Sequence, residues 1–451
     1  MPPCRPLDLL ATPQAYAEQI EKLIRHRGLG PRGDKLTQRG VTLSSIGPER
    51  RALARVLAQT VARGRYRFEP AVERQALIEG KWRTLHQSGL TDVIVLGVLG
   101  RVTTELVAPA LSPRVYSYLP GRSPWHAVAD LAAYVERHRR QQPDPRSRGL
   151  YVLQRDVSRY GQSIPTRPGS RLWQLLNDAL AAARVPDPHL YRELLQQAVR
   201  PRVRVGDSEP SVLEVGVPTG SPIQPTIANL YLSPVDRALE RIPGAFYSRF
   251  GDDLLFAHPD AEVARAAAAA IDRECAALEL ELKPSKRVDR YFTGPGRASE
   301  AWPESRPSSH LEYLGCRLAF DGTIGLKREK ARRLLRNLEQ RLEASQRLLE
   351  HLPDDERARA LCAVINRALD PRCVLCEPAS VLLRDLVNDR RELVQLDHQI
   401  ALRVAQALGG VRGVRAFRRF RYRDLRQRWQ LSSLVVERNR RRRPRRGSAG
   451  R

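Results

Sequence analysis

Several residue types are scarce in this 451-residue chain, and each scarcity argues against a class of protein. It has one methionine and six cysteines, and aromatic residues make up 6% of it. The cysteines are scattered, unlike the dense disulfide framework of a small secreted domain, so we expect reduced thiols and a cytoplasmic protein. They are Cys4, Cys275, Cys316, Cys362, Cys373 and Cys376.

A metal site is one alternative interpretation of Cys373 and Cys376, with Cys362 upstream. The pair has the spacing of half a zinc site, but no second close pair or flanking histidine accompanies it. We therefore favour their interpretation as buried small residues.

Long apolar runs are also lacking. We find no stretch that approaches the roughly 20 apolar residues of a membrane helix. The beginning, Met1 to Tyr16, has two early prolines and only a short apolar run, so it does not resemble a signal peptide. We expect a protein without a membrane partner.

Acidic residues are few beside the basic ones. The 50 Asp and Glu residues face 77 Lys and Arg residues, which gives a formal net charge of +27. Such an excess predicts a polyanionic partner, and nucleic acid fits because phosphate neutralisation supplies most sequence-independent affinity. An arginine-rich composition also arises from GC-rich coding DNA, so it does not identify the partner by itself.

Apolar periodicity predicts a mixed helix and strand protein. Leu150–Val157 has the pattern of a short buried strand. Spacings of three and four residues predict helices over Tyr16–Leu29 and Glu49–Ala62, and an apolar run predicts a buried helix over Ile94–Leu106. Amphipathic helices are predicted over Glu262–Leu282 and Lys327–His351, and further helices over Trp125–His138 and Asn388–Leu408.

Three segments carry the chemistry, and their order matters more than any one of them. The first is an apolar strand that ends in a carboxylate, Tyr151–Asp156. The second is a Gly- and Pro-rich loop running into a helix, Gly216–Leu232. The third is a hairpin with two adjacent aspartates at its turn, Tyr247–Phe256.

The adjacent carboxylates Asp252 and Asp253 raise each other's pKa unless a cation compensates. Carboxylate oxygens suit Mg²⁺, which keeps substrate phosphates among its ligands. With Asp156 from a neighbouring strand, they could hold two metal ions for an in-line displacement at phosphorus. A solvated acidic turn is the alternative for Asp252 and Asp253 taken alone.

The three segments resemble motifs A, B and C of bacterial reverse transcriptases, the group II intron, retron and defence-associated set. Phe250-Gly251-Asp252-Asp253 resembles the aromatic-x-Asp-Asp box of that family. The resemblance extends over roughly residues 65 to 320. It implies an α+β right-hand polymerase, with fingers, palm and thumb and with helical N- and C-terminal extensions.

The resemblance assigns roles to further residues. It implies catalytic Asp156, Asp252 and Asp253 as ligands of two Mg²⁺ ions (Mn²⁺ as the alternative) together with Val157, and Lys286 as a proton donor to pyrophosphate. A primer grip is implied at Tyr313, Leu314 and Gly315. The implied nucleotide-binding residues are Lys81, Arg83, Val157, Tyr160, Gly161, Pro218, Thr219 and Gly220.

The chain departs from the family pattern at the sugar-selecting position. An aromatic residue usually stands five positions after the motif A aspartate and excludes the 2′-hydroxyl, whereas this chain has Gly161 there. We expect weak sugar selection unless Tyr160 or another residue takes over. The usual glutamine of motif B is Thr219 here, and Gly251 replaces a common alanine, as in many viral RNA-dependent RNA polymerases.

The sequence predicts a linear domain order. An N-terminal helical extension (1–64) precedes fingers and palm (65–325), a thumb helix (326–351), a basic helical domain (352–437) and a disordered Arg-rich tail (438–451). Arg and aromatic residues alternate over Arg415–Arg423. This pattern suits either stacking on bases or a solvated helix face with core aromatics.

The leading interpretation is an RNA-directed DNA polymerase, stand-alone and either defence-associated or domesticated. The resemblance implies an RNA template, a DNA or RNA primer and deoxynucleoside triphosphates, and leaves room for a noncoding RNA and a partner protein. One alternative is a palm polymerase with relaxed sugar selectivity or weak templating. The other is a non-catalytic nucleic-acid-binding scaffold.

Overall fold

The computed structural model describes residues 6–30, 34–47, 49–78, 80–142, 148–185, 189–373 and 376–442. The helices of this part of the chain are α1 (Pro6–Leu10), α2 (Pro13–Arg27), α3 (Leu43–Ile46), α4 (Arg50–Ala62), α5 (Leu90–Val107), α6 (Pro124–Gln141), α7 (Tyr160–Ser163), α8 (Arg171–Ala182), α9 (His189–Val199), α10 (Gln224–Tyr231), α11 (Ser233–Glu240), α12 (Ala261–Ala277), α13 (Arg328–Leu349), α14 (Asp354–Leu369), α15 (Pro378–Asp385), α16 (Arg390–Gly409), α17 (Tyr422–Gln427) and α18 (Leu434–Arg442).

The strands are β1 (Thr37–Gln38), β2 (Val41–Thr42), β3 (Ala71–Ile78), β4 (Lys81–Gln87), β5 (Leu150–Asp156), β6 (Arg202–Arg204), β7 (Ser211–Val212), β8 (Phe246–Phe250), β9 (Asp253–His258), β10 (Val288–Phe292), β11 (Arg306–Ser308), β12 (His310–Tyr313), β13 (Cys316–Ala319) and β14 (Ile324–Leu326). Short 3-10 helices cover Ala108–Ala110, Pro284–Lys286 and Val414–Arg418. Helices and sheets together make the protein α+β, as predicted.

The helices predicted from periodicity are observed as α2, α4, α5, α6, α12, α13 and α16. The predicted helix to Leu282 is too long, because α12 ends at Ala277 and Glu279 then adopts a left-handed conformation with φ 56°. The last described helix runs to Arg442 and so includes the beginning of the predicted tail, while residues 443–451 lie outside the described residues.

The chain forms two compact units, each made of separate segments. Unit 1 contains residues 1–124 and 150–290, and unit 2 contains residues 125–149 and 291–451. The division falls within β10. The predicted linear domain order stays a prediction.

Helix α5 is the central helix of unit 1, where it packs against α2, α8 and α10. With the turn that follows, Leu90–Ala110 is long and apolar enough to cross a membrane by length and composition. The expectation that no stretch approaches this length is therefore wrong. Half of an 18-residue stretch of it is buried inside the protein, and a core helix can have the same length and composition.

The palm sheet of unit 1 is built around β5, whose neighbours are β9 on one side and the strand beginning at Val288 on the other; β8 lies beyond β9. Strands β5 and β9 are antiparallel, as are β8 and β9. Most β5 side chains are buried, as expected for a strand covered on both faces. This register fixes where the sheet's acidic residues meet.

A second sheet of unit 1 has the order β4-β3-β6-β7. Strands β3 and β4 form an antiparallel hairpin in which Ile78 pairs with Lys81. Gly80, with φ 76°, allows the tight connection between them. This hairpin corresponds to the predicted fingers segment.

Beneath the β8–β9 turn, a buried ion pair joins the palm sheet to the helices under it. Arg249 donates hydrogen bonds to both carboxylate oxygens of Asp236, each at 2.7 Å. Arg249 also donates to the Gly251 carbonyl at 3.2 Å and to the main-chain carbonyl of Asn229 at 2.9 Å. The turn that carries the aspartates is therefore tied to α10 and α11.

Unit 2 combines a small sheet, β12-β13-β14, with the helices α13, α14 and α16. Leu334, Leu338 and Leu342 recur every four residues along α13 and are buried, which gives this charged helix its apolar stripe. The main-chain N–H of Leu326 donates to Glu392 at 3.0 Å, which joins the sheet to α16.

Candidate active site

Asp156, Asp252 and Asp253 all line one cavity of about 670 Å³ in unit 1. Asp156 is the last residue of β5 and pairs directly with Asp253, the first residue of β9. Asp252 occupies the two-residue turn between β8 and β9 together with Gly251, whose φ of 65° is the left-handed value such turns require. The register thus brings the three predicted catalytic carboxylates together.

The carboxylates are electrostatically unfavourable for each other. Burial, and then the charge of Asp156, raise the pKa of Asp252. Burial also raises the pKa of Asp253 to about 6, with contributions from the charges of Asp252 and Asp156. Like charges placed directly opposite on two strands destabilise a sheet, so packing alone does not favour this arrangement.

Two lysines neutralise Asp156. Lys283 Nζ donates to Asp156 Oδ1 at 2.7 Å, and Lys286 Nζ donates to Asp156 Oδ2 and lies 3.9 Å from Asp253 Oδ1. The main-chain N–H of Lys283 also donates to the Asp156 carbonyl at 2.8 Å. Burial opposes the charge of Lys286, but the hydrogen bond and charges of the aspartates outweigh it and raise its pKa.

The donor set has the chemistry that Mg²⁺ prefers, since three carboxylates face one cavity and two of them carry raised pKa values. No three His, Cys, Asp or Glu side chains within the described ranges are gathered into a preformed metal site. The lysines on Asp156 give a physical reason, because they engage both of its oxygens. Val157 does not line the cavity; its side chain is fully buried and it bridges to Leu282. The metal assignment stays a prediction.

The motif B loop is fixed on two sides of the cavity. Thr219 accepts a hydrogen bond from the His86 N–H at 3.0 Å and donates its own N–H to His86 Nδ1 at 3.1 Å. On the other side, the Val217 N–H donates to the Gly161 carbonyl at 2.8 Å. The loop therefore connects β4 of the fingers with the segment that follows Asp156.

Thr219 lines the cavity, as predicted for a nucleotide-binding residue, whereas Pro218 and Gly220 do not. The Thr219 Oγ1 atom is buried and has no hydrogen-bond partner within the described ranges. A buried hydroxyl left unpaired costs free energy unless a ligand satisfies it. Thr219 is therefore well suited to contact a polar substrate.

Gly161 and Tyr160 both line the cavity. The Tyr160 side chain is buried, and its hydroxyl donates to the Ala228 carbonyl. Burial raises the pKa of Tyr160 well above its ordinary value. A Cβ built on Gly161 would overlap the side-chain amide nitrogen of Gln224.

Arg83 of the β3–β4 hairpin lines the cavity with its side chain exposed, and its contact to a triphosphate stays a prediction. The neighbouring Trp82 is 72% exposed and lines the same cavity. Lys81 begins β4, and its side chain lies outside the described residues.

The predicted primer grip lies in unit 2 and forms the tight turn between β12 and β13. Tyr313 pairs with Cys316 across that turn, and both intervening residues, Leu314 and Gly315, have positive φ. The Lys327 N–H donates to the Gly315 carbonyl at 3.0 Å, which fixes the turn to the start of α13.

The interpretation from sequence missed Lys283, Trp82 and Gln224 at the cavity. Lys283 lies three residues before Lys286, but the resemblance implied a role for Lys286 alone. Trp82 directly follows Lys81, but the sequence does not show that the Trp82 side chain is exposed and lines the cavity. Nothing in the sequence places Gln224 beside Gly161, because that contact depends on how α10 approaches β5.

The basic and aromatic segment contributes to the core of unit 2, as in one of the two alternatives left open by the sequence, while stacking on bases stays a prediction. Phe420 and Trp429 are buried and in contact, with ring centroids 5.9 Å apart, so these aromatics belong to the core of unit 2. Tyr422 is 38% exposed. Arg412, Arg415, Arg418, Arg421 and Arg423 are exposed, and no ion pair is found for them among the described residues.

The cysteines give no support to a zinc site. Cys362 is buried, Cys373 and Cys376 are half-buried, and the described residues contain no group of three metal-binding side chains.

Comparison with known proteins gives a family for the central part of the chain. Residues 94–318 match the family described as reverse transcriptase (RNA-dependent DNA polymerase). This range contains all three aspartates, both lysines and the motif B loop. No curated protein matches the sequence.

Among solved structures, similarity is found to telomerases of two Candida species, each at 10% identity. The telomerase of Candida albicans, in complex with a fragment of telomeric RNA, has a TM-score of 0.45 over 76% of this chain and 60% of that one. The apo telomerase of Candida tropicalis has a TM-score of 0.43, with 77% and 64% covered. A form truncated from its C-terminal domain has a TM-score of 0.43, with 58% and 55% covered. The chain thus spans 55% to 64% of the length of these structures.

Proposed function

The chain contains a reverse transcriptase domain with a right-hand polymerase fold, and we propose that the protein is an RNA-directed DNA polymerase that extends a primer. The observation that carries this proposal is the register that places Asp156 opposite Asp253, with Asp252 in the adjoining turn and all three lining one cavity. Residues of the β3–β4 hairpin and of the motif B loop line this cavity, which has room for a nucleoside triphosphate.

Asp156, Asp252 and Asp253 would hold two Mg²⁺ ions, or Mn²⁺, with the Val157 main chain as a further donor. The ions would supply Lewis-acid activation of the primer 3′-hydroxyl and charge stabilisation at the leaving pyrophosphate. The protein's own groups bind and orient the substrate. Arg83 and Lys81 contact phosphate oxygens, and the Thr219 hydroxyl satisfies its hydrogen bond on the incoming nucleotide.

Beside its hydrogen bond to Asp156, Lys286 has a role in the proposed reaction. The ammonium groups of Lys283 and Lys286 would be free of Asp156 when that carboxylate holds metal instead. Lys286, which also lies near Asp253, is then positioned to donate a proton to the departing pyrophosphate oxygen. A lysine amine with its ordinary pKa is protonated at neutral pH, so Lys286 carries the proton that this step needs.

The partners are an RNA template and a DNA or RNA primer. The net charge of +27 supports a polyanionic partner, and exposed Arg412, Arg415, Arg418 and Arg421 of unit 2 supply cations without a competing acidic side chain in the described ranges. A noncoding RNA or a partner protein could add to this complex. The predicted primer grip, Tyr313, Leu314 and Gly315, would contact the end of the primer.

The motif set resembles that of bacterial reverse transcriptases, and we place the protein with the cytoplasmic, defence-associated or domesticated enzymes of that group. This placement predicts that expression in a bacterial host lowers the plating efficiency of at least some phages. An Asp252→Asn variant should lose that protection. Equal plating on both strains across a broad phage panel would remove the defence role and leave the polymerase activity standing.

Primer extension on an RNA template tests the polymerase directly. The purified full chain, with Mg²⁺ and nucleoside triphosphates, should lengthen a labelled primer in a template-dependent order. Asp156→Asn should abolish extension while retaining binding of the primer and template. If the wild-type protein binds nucleic acid but lengthens no primer with either metal, the scaffold alternative replaces this proposal.

A further inference from the structure

The space beside Gly161 is occupied by another residue. A Cβ on Gly161 would overlap the Gln224 amide nitrogen, so the place of a larger side chain is taken by a carboxamide from a different element. Gly161 follows β5 within α7, and Gln224 is the first residue of α10. Both residues line the cavity that contains the three aspartates.

Tyr160, the nearest aromatic residue, is not free to act in place of a side chain at position 161. Its side chain is buried, and its hydroxyl donates to the Ala228 carbonyl of α10. Turning it toward a nucleotide would break this hydrogen bond and leave the half-buried Ala228 carbonyl without its donor, which costs free energy.

Gln224 is held loosely enough to respond to a ligand. Its Oε1 atom accepts a hydrogen bond from the Gly220 N–H at 3.3 Å, a long distance for such a bond. The side chain is half-buried, and its amide nitrogen is the end that lies against Gly161. A carboxamide offers two donors and an acceptor, whereas an aromatic wall offers none on its face.

We propose that Gln224 is the residue of this chain that reads the sugar of the incoming nucleotide, by a hydrogen bond from its carboxamide to the 2′-hydroxyl. The proposal rests on the proposed polymerase function and deepens it by widening the substrate class to ribonucleoside triphosphates. A flexible polar group beside a glycine does not exclude a hydroxyl, and a site that hydrogen-bonds a hydroxyl disfavours the analogue lacking it.

Equilibrium binding tests the proposal without requiring turnover. Affinities of ATP and dATP are measured for the full chain with a primer on a template that calls for this base, with Ca²⁺ in place of Mg²⁺. For the wild type we expect ATP to bind at least as tightly as dATP. Gln224→Ala should weaken ATP binding by about three- to tenfold, the effect of one hydrogen bond, and leave dATP binding unchanged.

Two further variants separate the hydrogen bond from a general disturbance of the cavity. Gly161→Ala adds the Cβ that would displace the carboxamide, and it should weaken ATP binding as Gln224→Ala does. Gly161→Phe combined with Gln224→Ala exchanges the polar group for an apolar wall and should make the protein prefer dATP. Gln174→Ala is the matched control, because Gln174 is an exposed glutamine of unit 1 that does not line the cavity, and its ATP to dATP ratio should equal that of the wild type.

The results distinguish this inference from the polymerase proposal. If the wild type binds and incorporates nucleotides but Gln224→Ala changes ATP and dATP binding by the same factor, Gln224 does not read the sugar and the inference is overturned alone. A wild-type protein that binds neither triphosphate and extends no primer overturns both.

Discussion

Arg249 and Asp236 form a bidentate ion pair in which neither side chain is more than 1% exposed. Burial disfavours the charge on Arg249, but the charge and hydrogen bonds of Asp236 outweigh it and raise the pKa of Arg249. The same guanidinium donates to the Gly251 carbonyl, one residue before Asp252. The pair thus connects the interior of the palm to the acidic turn.

Arg249→Met should lower the stability of the protein by about 3–5 kcal/mol, because it leaves Asp236 buried without its partner. Adding Asp236→Leu removes the uncompensated charge and should restore most of the loss, as hydrophobic replacements of buried pairs often do. Chemical unfolding followed by tryptophan fluorescence measures this.

Primer extension should not recover in the same double variant, since the hydrogen bond to Gly251 is still missing. The kcat is expected to stay well below that of the wild type while the thermal midpoint returns. A double variant with wild-type kcat would show that Arg249 stabilises the palm without positioning the turn.

Asp253→Asn should stabilise the protein and inactivate it. The change removes one of two like charges paired across β5 and β9, a gain of about 0.2–1 kcal/mol in metal-free buffer. The rate of nucleotide addition should fall by at least about a hundredfold, since a group that stabilises the transition state is lost. Thermal unfolding with EDTA and primer extension with Mg²⁺ measure the two effects, and a destabilised variant would contradict the electrostatic argument.

Lys283→Ala and Lys286→Ala should each slow nucleotide addition, because both side chains bind Asp156. We expect about a tenfold or larger fall in kcat for Lys286→Ala, in the range for a lost proton donor, and a smaller one for Lys283→Ala. Arg287→Ala is the matched control. It removes a neighbouring cation that pairs with Asp272 instead, and it should leave kcat near the wild-type value.

The buried Asp92 should make stability depend on pH. Burial raises its pKa from the ordinary 3.8 to about 6, although Tyr66 donates a hydrogen bond to it at 2.8 Å. A carboxyl whose pKa is higher in the folded protein favours folding while protonated, so this contribution is full below pH 4 and is lost as pH rises through about 6.

Asp92→Asn should flatten that part of the pH dependence. The difference in thermal midpoint between wild type and variant is expected to change between pH 4 and pH 6 and to be constant above. Asp130→Asn serves as a control at an exposed carboxyl. Parallel pH profiles for the wild type and Asp92→Asn would contradict the prediction.

Arg415→Ala combined with Arg418→Ala should weaken binding of single-stranded RNA and reduce its dependence on salt. Two lost phosphate contacts lower the slope of log affinity against log salt concentration by about 1.4. Arg419→Ala combined with Arg428→Ala is the control, because these arginines are already paired with Asp354 and Asp355. Equal slopes in the two double variants would show that this surface does not contact the phosphates.

The sequence predicted the elements of this fold where the pattern is local. The apolar run of α5, the periodicity of α13 and the apolar flanks of Asp252 can each be seen within a single segment of the sequence. The match of residues 94–318 to the reverse transcriptase family agrees with the motifs read from these segments. The placement of Asp156 opposite Asp253 could be expected from the family resemblance, but the register that produces it comes from the structure.

Contacts between distant segments could not be predicted in this way. Gln224 reaches Gly161 because the loop before α10 is fixed to both β4 and the segment after Asp156, and no spacing rule encodes that geometry. Similarly, β6 and β7 are too short to show an alternating pattern, and their place in the sheet depends on the pairing of β6 with β3 and of β7 with β6.

The alternation of the chain between its two units bears on how the protein is made. Residues 1–124 leave the ribosome before residues 150–290, so unit 1 cannot be completed until residue 290 has been synthesised. Unit 2 is completed later still, because residues 125–149 pack with residues 291–451. Apolar α5 is therefore exposed during translation, when aggregation competes with folding. We expect the whole chain to be expressed more successfully than a continuous fragment such as residues 150–290, which contains only part of a unit. Slower translation or a chaperone should raise its yield.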